Sequence, residues 1–113
     1  MGHDALSYVG YGIIVPFEVF QKVFPQTFDA QGYLNEEFLT SLETPQVQLE
    51  YNREDRSEGI FIVGAGRHQY DSNKDTPLNL TEILSQKALL DPWLAASFPG
   101  FTPGIYNYVN IYE

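Results

Sequence analysis

A chain of 113 residues, 43% apolar and 15% aromatic, holds enough buried-type surface to offset the entropy of ordering, so one folded domain over residues 1–113 is expected. It has no cysteine, which excludes disulfides, thiolate metal centres and thiol nucleophiles, and which fits a cytoplasmic setting. Six Lys and Arg against fifteen Asp and Glu give a net charge of −9, which repels nucleic-acid phosphates and anionic lipid and speeds encounter with a basic protein.

Residues 8–15 read as a first strand, with Val9, Tyr11, Ile13 and Val15 at period two on one face and Gly10 and Gly12 on the other. Two glycines on one side leave a flat channel, and a packed helix is its expected occupant. Pro16 opens a short helix in which Phe17, Phe20, Val23 and Phe24 recur at helical spacing until Pro25, an aromatic stripe expected in the core. Asn35 is placed to cap a second helix. Glu36 and Glu37 complement its dipole, Leu34, Phe38, Leu39 and Leu42 face inward, and Pro45 lies beyond its end.

Residues 46–52 alternate strictly, with Val47, Leu49 and Tyr51 opposed to Gln48, Glu50 and Asn52, which predicts a strand with one wet face. The apolar run 60–63 follows a polar tip, so the pair reads as a hairpin whose tip carries Glu54, Asp55 and Glu58. Residues 67–77 are polar and rich in turn formers, and are expected to be a loop. Asn79, with Glu82 three residues on, caps a third helix, which Asp91-Pro92 is expected to restart. After two Pro-Gly turns a last strand runs over 105–112. Ile105, Val109 and Ile111 lie on one face, read as the buried one, and Tyr106, Tyr108 and Tyr112 on the other, which is either an exposed contact ladder or covered by a helix. The order of elements predicts an α+β fold: about four mostly antiparallel strands with two to four short helices packed on one face.

Chemical signatures are weak throughout. The pairs Gly10/Gly12 and Gly64/Gly66 lack the third glycine of a dinucleotide loop, Val15 and Gln69 standing in its place, and no Gly-Lys-Ser or Gly-Lys-Thr occurs. The two histidines, His3 and His68, are far apart, so no metal-ligand spacing exists and no cofactor is expected. His68 is the one internal histidine, with Arg67, Tyr70, Asp71 and Ser72 close in sequence. A His beside Asp71 can act as a general base and Arg67 can hold an anion. A triad is nevertheless rarely assembled from one short loop, which leaves His68 and Asp71 as weak catalytic candidates.

The leading reading is a non-enzymatic acidic protein-binding module, an inhibitor or adaptor. It would meet a basic protein through Glu54, Asp55 and Glu58, the tyrosines 106, 108 and 112, and Arg67 and Tyr70. Phosphate mimicry against a nucleic-acid-binding protein is one form of it. The rivals are a small enzyme or ligand-binding domain built around His68, and a structural subunit whose terminal or hairpin strand pairs with its copy.

Overall fold

A run of alternating apolar residues becomes β1 (Asp4–Val15), the strand around which the sheet is built. The computed structural model describes residues 4–53, 56–64, 68–71 and 79–112, with the backbone alone for 4–6, 68–71 and 110–112. After β1 come α1 (Phe17–Val23), α2 (Glu36–Leu42), β2 (Val47–Tyr51), β3 (Ile60–Gly64), β4 (His68–Asp71), α3 (Leu80–Leu84), α4 (Lys87–Ser97) and β5 (Gly104–Tyr112). The fold is α+β, with one antiparallel sheet and the helices on one of its faces.

Gly12 pairs with Val63 of β3 on one side and with Gly104 of β5 on the other, so these strands flank opposite edges of β1. The segment β4 pairs with β1 through Val9–His68 and Leu6–Asp71, where β5 already occupies the second edge. Strands β3 and β4 therefore lie end to end along one edge, β2 adds outside β3, and the sheet is four rows across.

The expected loop over 67–77 is thus corrected in part, because residues 68–71 are a strand. The five residues of β3 satisfy only one end of the twelve-residue β1, and the backbone groups left over draw in the next segment despite its polar side chains.

Phe17, Phe20, Leu39, Ile83, Leu90, Leu94 and Phe98 from the helical segments pack on Tyr11, Ile13, Val15, Val47, Leu49, Ile60 and Ile62 from the sheet. The Phe20 ring stacks on Phe98 at 5.7 Å and Phe24 on Trp93 at 6.2 Å, which ties α1 to α4. Val23, at the end of the aromatic stripe, is exposed. Both predicted caps form: Asn35 Oδ1 accepts from the Phe38 amide and Asn79 Oδ1 from the Glu82 amide. The expected restart at Asp91 is not where the helices divide. The break falls at Ser85 and Gln86, and α4 runs through Pro92, held by Leu90 and Leu94 buried on either side of it.

The other face of the sheet carries a small second cluster of Tyr8, Phe61, Val63 and Tyr108. Its geometry shows how β1 bends. Tyr108 pairs with Tyr8 and Phe61 with Ile14, six residues apart on β1, or about 20 Å along a straight strand. The rings of Tyr108 and Phe61 nevertheless stack at 5.9 Å, so β1 must curl with this face on its inside. Gly12 sits within the curl, where a Cβ would come within 1.8 Å of the Ile62 carbonyl oxygen. The space beside Gly12 is therefore taken by the backbone of β3, and the helix expected there packs on the opposite face.

Candidate protein-binding surface

The β2–β3 connection was expected to present carboxylates. Glu58 is exposed in a short 3-10 turn, Arg56–Glu58, whereas Glu54 and Asp55 lie outside the described residues. The basic residues of the same connection turn back on the protein. Arg53 Nε lies 2.6 Å from Glu36 Oε1, and the Arg56 guanidinium sits 4.8 Å over the Phe28 ring while donating to the Gly32 carbonyl at 3.5 Å. Nearby, burial pushes the Tyr51 hydroxyl above its ordinary value of 10.0, with the negative charge of Glu36 adding to the effect.

A third cation is held by a device that no local pattern announced. Tyr11, from the middle of β1, donates from its hydroxyl to Asp91 Oδ1 at 2.5 Å, while Lys87 Nζ donates to Asp91 Oδ2 at 2.5 Å and to the Tyr11 oxygen at 3.1 Å. Residues 87 and 91 share one side of α4, so this helix presents a matched pair of charges to a single hydroxyl. Burial, then the bond to Asp91, raises the Tyr11 hydroxyl above 10.0. The bond to Asp91 also raises the Lys87 ammonium above 10.5, and the bonds from Lys87 and Tyr11 hold the Asp91 carboxyl below 3.8. The Lys87–Asp91 spacing was visible in the sequence; Tyr11 as the third member was not.

Against these engaged cations, Glu18, Glu37, Glu58 and Glu82 are exposed and make no ion pair among the described residues. Glu18, Glu37 and Glu82 stand in the first turns of α1, α2 and α3, where the helix dipole favours a negative charge.

The tyrosine ladder of β5 divides. Tyr106 is 37% exposed and donates from its hydroxyl to the Thr102 carbonyl. Tyr108 is 3% exposed, stacked on Phe61, and its hydroxyl donates to the Gly59 carbonyl at 3.0 Å, so it belongs to the interior and not to a contact surface. Tyr112 pairs through its backbone with Asp4, and its side chain is outside the description. The opposite face of β5, read as buried, is open instead: Ile105 is 43% and Val109 40% exposed. The curl of β1 that encloses Tyr108 is the reason, because it takes the tyrosine side of β5 inward.

The side chains proposed for acid–base chemistry lie outside the described part of the structure. His68, Tyr70 and Asp71 are placed as backbone within β4, and Arg67 and Ser72 fall outside the described residues. Among the described residues no group of three His, Cys, Asp or Glu side chains could hold a metal ion, and no helix is long and apolar enough to cross a membrane. Sequence reasoning also passed over Tyr33, which is 69% exposed at the end of a turn whose amides bond to Asp29. No family model, curated protein or solved structure matches the chain.

Proposed function

We propose that this protein is a non-enzymatic binding module that engages a basic protein partner through its acidic surface. One observation supports the reading above the others. Of the four described cations, Arg53, Arg56 and Lys87 are bound to the protein's own groups, whereas Glu18, Glu37, Glu58 and Glu82 are exposed and make no ion pair among the described residues. The field of a chain with net charge −9 is thus left uncompensated at the surface, where it accelerates encounter with a positively charged partner. Tyr33 supplies exposed aromatic area of the kind that anchors protein contacts. A nucleic-acid-binding protein is the narrower form of such a partner, with carboxylates taking the place of phosphates in its groove.

The test is a calorimetric titration of the protein against poly-L-lysine and against a basic nucleic-acid-binding domain, at several salt concentrations and with duplex DNA as competitor. Affinity should fall as salt rises, DNA should compete, and the Glu37→Lys/Glu58→Lys double variant should weaken binding several-fold. Binding that is undetectable, or indifferent to salt, overturns the reading.

A further inference from the structure

Among the described residues, the outer edge of β5 lies unpaired and without the usual guards. Among the described residues β5 pairs only with β1, so every second residue of its nine directs an amide and a carbonyl away from the sheet. Edge strands ordinarily carry a lysine, a proline or a bulge against uncontrolled pairing. None is present here: residues 104–112 read Gly-Ile-Tyr-Asn-Tyr-Val-Asn-Ile-Tyr, and no charged residue occurs anywhere from 92 to 112, in a chain with twenty-one charged residues. The apolar side chains Ile105 and Val109 stand exposed on one side of this strand, separated by the exposed Asn107.

Charge selects the occupant. A basic partner gains nothing from a strip without carboxylates, whereas a second copy, repelled by nine negative charges wherever else it approaches, meets least repulsion there. The side chains select the register. Turning β5 about a two-fold axis through Asn107 places Ile105 opposite Val109 of the second copy, and Val109 opposite its Ile105, on one continuous face. Such cross-strand apolar pairs are the unit of sheet stabilisation. The same axis sets the two Asn107 side chains against each other, where their amides can bond.

We propose that the protein forms a symmetric dimer by antiparallel pairing of β5 with β5 of a second copy, centred on Asn107 and joining the two sheets into one. This goes beyond the acidic binding reading and is independent of it. Dimerisation should strengthen with salt, because screening removes repulsion, whereas binding to a basic partner should weaken.

Sedimentation equilibrium from about 5 to 500 μM should show a rise toward twice the 12.9 kDa chain mass, steeper at high salt. Val109→Lys should weaken dimerisation at least tenfold while keeping the wild-type circular dichroism. Since the chain has no cysteine, Asn107→Cys tests the axis directly: a short bismaleimide should join two Asn107→Cys chains much faster than two Glu18→Cys chains. A monomer over the whole range, or equal cross-linking of the two cysteine variants, overturns the proposal. If Val109→Lys does not fold, the cross-linking contrast decides alone.

Discussion

The hydroxyl of Tyr11 reaches Asp91 at 2.5 Å across eighty positions of sequence, joining the central strand to the helix above it. Because Lys87 closes the triangle, the hydroxyl donates to one charged group and accepts from another. A hydrogen bond of this kind to a charged group, partly screened by solvent, contributes about 1–2 kcal/mol. Tyr11→Phe should lower stability by that amount in urea denaturation. In the cycle with Asp91→Asn, the two changes should sum to more than their double variant.

The same three groups set a pH dependence. Asp91 has its carboxyl lowered by Lys87 and Tyr11, so its contribution is present above 3.8 and is lost as pH falls through the lower folded value. Tyr11, raised by burial and Asp91, and Lys87, raised by Asp91, act at the other end. Their contribution is full below 10.0 and 10.5 and is lost as pH rises through the higher folded values. Thermal midpoints should therefore show an alkaline decline above about pH 10 that is shallower in Tyr11→Phe. The acid decline should be shallower in Asp91→Asn.

Gly12→Ala should be among the most damaging single substitutions. The added methyl meets the Ile62 carbonyl at 1.8 Å, and that atom belongs to the backbone of a paired strand that cannot step aside. A loss of about 3 kcal/mol or more, or failure to accumulate as soluble protein, is expected. Gly100→Ala, where the new methyl has nothing within 4 Å, is the control and should stay within about 0.5 kcal/mol of wild type.

Tyr108→Phe isolates the second cluster. It keeps the ring on Phe61 but removes the donor to the buried Gly59 carbonyl, which should cost about 1–2 kcal/mol without loss of secondary structure. Equal stability of variant and wild type would mean that the inner side of the curl is wet.

What the sequence made legible was what its neighbours along the chain decide. The caps at Asn35 and Asn79 and the alternation of Val47, Leu49 and Tyr51 depend on residues within a turn or a strand, and each is found as read. Strand β4 was illegible because its cause lies elsewhere, in the unmatched length of β1. The face of β5 that carries Ile105 and Val109 was misassigned for a similar reason. Hydrophobicity favoured Ile105 and Val109 as the inner side, but the stacking of Tyr108 on Phe61 decided it, and those residues are brought together only by the curl of β1. Tyr11 escaped notice because nothing near it in the chain is its partner.

The place of β1 has a consequence for how the protein is made. Its two sheet edges are filled by segments that follow it in the chain, and Gly12 waits first for Val63 and then for Gly104. At ribosomal speeds of roughly 5–20 residues per second, the forty residues between those partners take about two to eight seconds to translate. Throughout that interval the growing sheet offers the edge of β1 intended for its own β5. That edge is the place at which an exchange of β5 between two copies would have to begin.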